Sequence, residues 1–261
     1  MGTVVCGGVK EPLTPAQART LLEHVKDHRL GGLVSVGTAL GLRMGEALGL
    51  RWQDVDLDAG MLSVRQALER SGGGMARPAD HSRSNVVRYW PASEAHRNGA
   101  SSKALRLELE ALRLRWRDLR TTVHFVEPKS TRSRRTIRLP QVVIGALRSH
   151  RTRQRIERLA AGGEWTDSGL VFTTVEGTSL DARNVTREFQ AVLTAAGVPR
   201  VRFHDLRHTA ATLLLSQGVD PRTIMQTLGH SQISLTLNTY SHVMPALQID
   251  AAAKLDAVFS R

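Results

Sequence analysis

The chain has 261 residues and a net charge of +12, and its composition is 41% apolar, 23% charged and 4% aromatic. This balance excludes collagen-like and low-complexity proteins and predicts a globular chain with one large core or two smaller ones. No run of about 18 apolar residues occurs, so we expect no membrane-spanning helix. The single cysteine, Cys6, excludes an internal disulfide and fits a cytoplasmic protein, and we expect no secretory signal at the N-terminus.

The charge balance is the first indication of a partner. The chain carries 36 Lys and Arg residues against 24 Asp and Glu residues. An excess of positive charge of this size favours a polyanionic partner such as nucleic acid. Composition alone leaves open a basic protein with no such partner, so the interpretation depends on the motifs along the chain.

The first fifty residues have the pattern of three helices. Thr14, Pro15 and Gln17 supply an N-cap, a proline at the first helical position and a capping-box partner. Gly41 would interrupt the apolar run that precedes it. We therefore predict helices over residues 13–29, 33–40 and 43–50.

Three short segments alternate apolar and polar residues, as half-buried strands do. They are Leu62–Leu68, Thr122–Val126 and Arg135–Leu139. The last two are joined by a polar, basic link over 127–134. We interpret this link as the exposed tip of a hairpin that carries Lys129.

A long insertion, about residues 71–121, separates the first strand from the second. Its first part is rich in glycine and polar residues and is typical of a flexible excursion. Its second part has apolar residues at heptad spacing with arginines beside them. This stripe predicts a helix packed on its own domain, and the alternative is a protruding arm that meets DNA or a second protomer. The stripe consists of Leu105, Leu109, Leu112, Trp116 and Leu119.

The rest of the chain has helical periodicity. Asp220 and Pro221 repeat the signature of an N-cap followed by a first-turn proline, and Gly197 is a natural C-cap. Together with the three strands, this pattern predicts a mainly α fold with a small antiparallel β-sheet, an α+β architecture. The helices are predicted over residues 141–160, 181–196, 205–217, 220–228, 232–243 and 248–259.

Residues that could carry chemistry stand in three separate segments. Arg43 lies inside an apolar stretch, where a guanidinium is costly unless an anion meets it, and Glu46 is a candidate structural partner three residues on. Lys129 stands in the basic link. The third segment begins at His204-Asp205-Leu206-Arg207-His208 and continues through Leu228-Gly229-His230 to Tyr240.

This set of cations with one tyrosine suits phosphoryl transfer. The transition state spreads negative charge over the non-bridging oxygens, which paired guanidiniums bind through two hydrogen bonds each. A tyrosine attacks only after losing its proton, and a cationic pocket lowers its pKa from about 10. A lysine or histidine can then protonate the leaving oxygen. The sequence contains no clustered carboxylates and no His-Glu-x-x-His motif, so it does not indicate a catalytic metal.

The order and spacing of these segments resemble the catalytic domain of the tyrosine recombinases, the phage integrase family. The resemblance covers about residues 13–245 and is most specific near its C-terminal end. There His204 and Arg207 are followed by His230, 23 residues beyond that arginine, and by Tyr240 ten residues later. The resemblance implies a site-specific DNA recombinase, or integrase, that cleaves and rejoins DNA through a 3′-phosphotyrosyl intermediate.

The resemblance also implies a role for each of six residues. Two arginines would grip the scissile phosphate, a histidine would donate a third contact, and a lysine would protonate the 5′-hydroxyl leaving group. A second histidine would assist proton transfer at the tyrosine, which would attack the DNA. No metal or nucleotide cofactor is implied. Arg43 and Arg207 would grip the phosphate, His230 would donate the third contact, and Lys129 would be the acid. His204 would assist the proton transfer, and Tyr240 would attack the DNA.

The implied partner is double-stranded DNA, with four protomers assembled as a homotetramer on two duplexes. The implied domains are a catalytic domain over residues 13–245, which contains the 71–121 insertion, and a C-terminal helix over 246–261 that would dock on another protomer. Residues 1–12 would be a linker or the remnant of an N-terminal DNA-binding domain. The short N-terminal segment raises the alternative of a truncated fragment that binds DNA without recombining it.

A second alternative is a non-catalytic DNA-binding regulator. Pro221–Tyr240 can be drawn as a helix-turn-helix with Gly229 at its turn. However, no Lys or Arg lies between Arg222 and Lys254 to contact bases or phosphates. This interpretation also leaves Arg43 without a role.

Two further residues near these motifs have alternatives to a role in chemistry. Lys129 could contact backbone phosphates together with the neighbouring arginines, which include Arg135, instead of acting as an acid. His208 stands four residues after His204, which is also the spacing of a metal-binding pair. We favour a structural role for His208, because no third ligand stands at a sequence spacing that would complete a metal site.

Overall fold

In a computed structural model of the chain, the described residues are 11–70, 123–126 and 134–229. They form helices and short antiparallel strands, which confirms the predicted mainly α fold with a small β component. Several predictions fall outside these ranges. They concern the insertion over 71–121 with its leucine stripe, the helices over 232–243 and 248–259, and the tail over 246–261.

The three N-terminal helices are α1, Pro15–His24, α2, Gly31–Leu40, and α3, Met44–Leu48. The predicted capping box of α1 is confirmed. The backbone N–H of Gln17 donates to Oγ1 of Thr14, and the backbone N–H of Thr14 donates to Oε1 of Gln17. Two otherwise unpaired donors at the helix start are therefore satisfied.

The first helix ends earlier than predicted because the chain turns sharply before α2. A Cβ atom on Gly31 would lie 2.3 Å from the carbonyl oxygen of Val25, so the two segments are in backbone contact. Within this turn the carbonyl oxygen of His28 accepts a hydrogen bond of 2.8 Å from Nη1 of Arg153. A long-range contact therefore replaces the last turn of the predicted helix.

Five short strands occur in the described ranges. They are β1, Val55–Asp56, β2, Met61–Val64, β3, Ala67–Arg70, β4, Val123–Val126, and β5, Arg135–Arg138. The strands β1, β2 and β5 form a three-stranded antiparallel sheet, and β3 and β4 form an antiparallel pair. Leu62 is opposite Ile137 in the first sheet, and Leu68 is opposite Phe125 in the second.

The predicted hairpin between the second and third β segments is wrong. β4 pairs with β3, and β5 pairs with β2, so both strands lie against the segment 61–70. The first predicted strand is itself divided at Gln66, whose side chain donates to the carbonyl oxygen of Gly49 at 2.8 Å. Residues 127–133 therefore connect a strand of one sheet to a strand of the other.

Four helices complete the described fold. They are α4, Gln141–Ala161, α5, Ala182–Ala195, α6, Asp205–Ser216, and α7, Pro221–Leu228. The side chains of Asp181 and Asp220 cap α5 and α7, and the chain leaves α5 through Gly197 with a φ of +65°. These four confirm the helices predicted over 141–160, 181–196, 205–217 and 220–228. Among the described residues, no helix has the length and apolarity needed to span a membrane.

The core is organised around α2, of which nine residues are buried. Two helices pack against it where its residues are small. A Cβ atom on Gly32 would lie 3.3 Å from Cβ of His150 in α4, and one on Gly37 would lie 3.1 Å from Leu206 in α6. Glycine at these positions allows both helices to approach α2 closely, and it places the start of α6 near the end of α2.

Candidate active site

Arg43 follows a tight turn between α2 and α3. Gly41 ends α2 in the left-handed conformation, with a φ of +62°, and a Cβ atom there would lie 2.4 Å from the side chain of Leu228. Any other residue would be strained in its backbone and would clash with α7. Arg43 then occupies the N-cap position of α3, and its side chain is 42% exposed. The turn packs against α7 and leaves the Arg43 guanidinium accessible to solvent.

Glu46 holds Arg43 at two points. One carboxylate oxygen accepts from the backbone N–H of Arg43 at 3.0 Å, and the other accepts from its Nη1 at 2.9 Å. The predicted pairing of these two residues is confirmed. Because the backbone and the side chain are both held, the guanidinium has a defined direction while it remains partly exposed.

Arg135 binds the same carboxylate, which the sequence did not indicate. Its Nη1 and Nη2 donate to the two oxygens of Glu46 at 3.2 and 2.9 Å, across 89 positions in the chain. Only 6% of its side chain is exposed, which argues against the alternative in which Arg135 contacts DNA phosphates. Burial acts to raise the pKa of Glu46, but the hydrogen bonds and charges of Arg135 and Arg43 hold it below its ordinary value.

Arg207 reaches the same turn from α6. Its side chain is buried, and its Nη1 donates to the carbonyl oxygen of Gly41 at 2.9 Å, across 166 positions in the chain. A Cβ atom on Gly41 would lie 3.4 Å from Cα of Arg207, so the two backbones are in contact. Two arginines that are distant in sequence therefore converge on the segment 41–43, and an anion bound there would lie in the field of both.

His204 and His208 pack against each other at the start of α6. Their ring centroids are 5.7 Å apart, and the ring planes meet at 85°. Partial loss of solvent lowers the pKa of His204, and the charges of His208, Arg207 and Arg43 lower it further. Desolvation also lowers the pKa of His208. Both imidazoles are therefore mainly neutral at pH 7, and His204 can accept a proton.

Three of the predicted site residues, Lys129, His230 and Tyr240, lie outside the described residues, and their roles stay predictions. The described chain reaches Gly229, the residue before His230. Gly229 ends α7 with a φ of +70°, and a Cβ atom there would lie 2.8 Å from Nη1 of Arg135. The segment that carries the last two residues therefore starts beside the guanidinium that binds Glu46.

The described part of the site is a set of cations. Around Arg43 they are held by the carboxylate of Glu46 and by the backbone carbonyl groups of Gly41 and Thr227. Over residues 11–70, 123–126 and 134–229, no three His, Cys, Asp or Glu side chains are grouped so that they could hold a metal ion. The arrangement can bind an anion and stabilise negative charge that develops on it.

Comparison with known proteins identifies the family. The family model described as the phage integrase family matches residues 100–246, which is more than half of the chain. The chain belongs to the phage integrase family. This membership agrees with the resemblance seen in the sequence motifs.

Two curated relatives match nearly all of this integrase-family chain. A tyrosine recombinase XerC-like protein of Caldanaerobacter subterraneus subsp. tengcongensis is 31% identical over 252 residues, which are 95% of this chain and 54% of the relative. An integrase of Saccharopolyspora erythraea is 31% identical over 255 residues, which are 95% of this chain and 58% of the relative. The chain therefore spans little more than half the length of these relatives.

Solved structures share the fold. The Tn1549 transposon integrase in complex with transposon right end DNA has a TM-score of 0.64 and 19% identity, and the match covers 97% of this chain and 67% of that one. The XerA recombinase has a TM-score of 0.59 and 21% identity, and the match covers 94% of this chain and 66% of that one. These likenesses show that the chain has the fold of integrases and recombinases.

Proposed function

We propose that the chain carries the catalytic centre of a site-specific DNA recombinase, which cleaves and rejoins double-stranded DNA through a 3′-phosphotyrosyl intermediate. The main support is the convergence of Arg43 and Arg207 on the turn after α2 in a chain of the phage integrase family. The names of two relatives, a tyrosine recombinase and an integrase, and the DNA-bound Tn1549 integrase add further support.

The first step is binding of the scissile phosphate. Arg43, directed by Glu46 and partly exposed, binds the non-bridging oxygens. Arg207, fixed by the carbonyl group of Gly41, adds positive charge at the same turn. Because these cations are already in place, they stabilise the charge of the transition state without reorganisation, and removal of one such donor costs about 3 kcal/mol of barrier.

The second step is attack by Tyr240. Its phenolate oxygen bonds to phosphorus while the bond from phosphorus to the 5′-oxygen breaks, so the 3′-phosphotyrosyl link replaces one phosphodiester bond. Lys129 gives a proton to the departing 5′-oxygen, and His230 donates to a non-bridging oxygen. His204, whose lowered pKa keeps it mainly neutral, assists transfer of the phenol proton. Rejoining reverses these transfers, with a 5′-hydroxyl as the nucleophile.

The proposed assembly follows from strand exchange. Strand exchange requires cleavage of the exchanging strands in two duplexes. We propose that a homotetramer carries this out and that residues 246–261 of each protomer dock on a neighbour. The net charge of +12 predicts that DNA affinity falls steeply as salt rises. We assign the reaction to the cytoplasm, which fits a chain with one cysteine.

Substitution of Tyr240 tests the proposal. The substrate is a pool of nicked duplexes with randomised sequence around the nick, which traps the cleaved strand on the protein. The wild-type chain is expected to form an SDS-resistant protein–DNA adduct in the presence of EDTA, and Tyr240→Phe is expected to form none while DNA binding stays nearly unchanged. The reason is that phenylalanine lacks the attacking oxygen.

The chain offers a matched control, because Tyr89 is its only other tyrosine. Tyr89→Phe is expected to form the adduct as the wild type does. An adduct that persists in Tyr240→Phe would overturn the assignment of the nucleophile. A strict requirement for Mg²⁺ would overturn the proposed mechanism.

A further inference from the structure

Arg135 joins two parts of the site that are separate in sequence. It is the first residue of β5, and its guanidinium lies in an interior position between α3 and α7. On one side it makes a bidentate contact with Glu46, with distances of 3.2 and 2.9 Å. This geometry fixes the plane of the carboxylate as well as its position.

On the other side Arg135 holds the end of α7. Its Nε donates to the carbonyl oxygen of Thr227 at 2.7 Å, one of the last carbonyl groups of that helix. Gly229 packs directly on the guanidinium, where a Cβ atom would lie 2.8 Å from Nη1 and 3.1 Å from Cζ. His230 follows after one peptide bond.

Glu46 passes the constraint on to Arg43. Each of its carboxylate oxygens accepts one hydrogen bond from Arg43 and one from Arg135. The two arginines therefore share one negative charge, which leaves the cluster of three residues with a net positive charge. If Arg135 releases the carboxylate, the carboxylate loses two of its four hydrogen bonds, and the direction of the partly exposed Arg43 guanidinium is less firmly fixed.

We propose that Arg135 is a positioning residue that holds Arg43 and the C-terminal end of α7 in one fixed arrangement. This inference rests on the proposed function, in which Arg43 binds the scissile phosphate and α7 leads into the chain that carries His230. In this proposal Arg135 does not touch the substrate, because its side chain is 6% exposed and its guanidinium donates to Glu46 and Thr227. Its effect is on the rate of cleavage and not on affinity for DNA.

Arg135→Lys is the first test, because it keeps the charge and removes the fork that spans both contacts. Single-turnover cleavage at saturating DNA is expected to fall about 10- to 100-fold, the size expected when a reacting group is misplaced. DNA affinity is expected to stay close to that of the wild type. The matched control is Arg138→Lys, three residues along the same strand and exposed, which is expected to cleave as the wild type does.

Hydrogen exchange supplies a readout that does not depend on cleavage. The amide of Gly229 bonds to the carbonyl oxygen of Met225 at 2.8 Å, and its exchange is expected to accelerate about tenfold or more in Arg135→Lys, as one charged hydrogen bond to this helix end is lost. Amides of α1, which Arg135 does not contact, are expected to be unchanged. Unchanged exchange at Gly229 would overturn the inference even if no variant cleaved DNA.

Glu46→Gln is a second variant, which tests whether Arg135 acts through Glu46. If Arg135 acts through Glu46, the double variant with Arg135→Lys is expected to cleave only slightly more slowly than the slower single variant. Multiplication of the two losses would mean independent effects and would overturn the inference. Wild-type cleavage by Arg135→Lys would also overturn it while leaving the proposed function intact, whereas absence of an adduct with the wild type and Arg138→Lys would reject the proposed function.

Discussion

Helix α2 is in contact with two polar clusters that use their hydrogen-bonding groups in different ways. One, here called the α4 cluster, packs on α2 near Gly32, and the other, here called the site cluster, lies at the turn that ends α2. The α4 cluster consists of Trp52, His150, Gln154 and Thr173, and the site cluster consists of Arg43, Glu46, Arg135 and Arg207.

The α4 cluster directs its hydrogen bonds to uncharged groups of the protein. Gln154 donates to the hydroxyl of Thr173 at 2.9 Å and accepts from the indole N–H of Trp52 at 2.6 Å. His150 contacts the carbonyl oxygen of Val171 at 2.8 Å. These residues are uncharged, and their bonds join α4 to the segment that follows it, so the cluster stabilises the fold.

The site cluster contains three cations and one carboxylate. The side chains of Arg135 and Arg207 are buried and bound to protein groups, while the side chain of Arg43 is 42% exposed. A cluster built only for stability would gain little from an excess of buried charge. The difference fits the proposal that the excess positive charge serves an anionic ligand, the scissile phosphate.

Among variants of the two clusters, the largest expected effect is at Arg207. Arg207→Ala removes a preorganised cation from the site cluster, so we expect cleavage at saturating DNA to fall about 100- to 1,000-fold. The measurement is the single-turnover rate of adduct formation, made well below the melting temperature. Arg222→Ala, an exposed arginine on α7, is the control and should cleave at nearly the wild-type rate. Cleavage by Arg207→Ala within a few-fold of the wild type would contradict a role of the site cluster in catalysis.

The next effect concerns the α4 cluster and is an effect on stability. Burial, with the charges of Arg29 and Arg153, lowers the pKa of His150 from 6.5 to about 4. Between these values the unfolded chain binds a proton at this position and the folded chain does not. The free energy of unfolding should therefore decrease as pH falls from 6.5 through 4, by about 3 kcal/mol in total from this residue.

His150→Gln isolates this contribution, because His204 and His208 also have lowered pKa values and act in the same direction. Urea denaturation of both proteins at several pH values gives two curves of unfolding free energy. The wild-type curve should fall more steeply between pH 6.5 and 4, and cleavage at pH 7.5 should be similar in both. Parallel curves would show that His150 is not the buried neutral group inferred here.

Most helices could be predicted because their signals are local. The cap residues Thr14 and Asp220 bind backbone groups only three positions away, so sequence spacing contains the information. Strand pairing is not local. A Cβ atom on Gly45 would lie 2.7 Å from the carbonyl oxygen of Leu68, and this close packing of β3 on α3 accompanies a division of the first strand that alternation alone did not reveal.

The site was predictable to a similar extent. The pair of Arg43 and Glu46 follows from their spacing of three residues, while the family resemblance pointed to Arg207. For Arg135 the sequence offers only the alternative of a phosphate contact, because it stands in a basic run. Its partners become neighbours only through the register of β5 and the end of α7, which no spacing in the sequence expresses.

The smallest effect is expected at a position outside both clusters. Thr14→Ala removes the side-chain acceptor of the α1 capping box and should lower the free energy of unfolding by about 1 kcal/mol, or the melting temperature by about 2–4 °C. Thr14→Ser keeps the hydroxyl and should restore most of the loss. Because α1 supplies no group to the site cluster, cleavage at 25 °C should be the same in all three proteins. A loss of cleavage in Thr14→Ala that exceeds its loss of folded protein would show that the site depends on α1 as well. The site cluster would then not account for cleavage by itself.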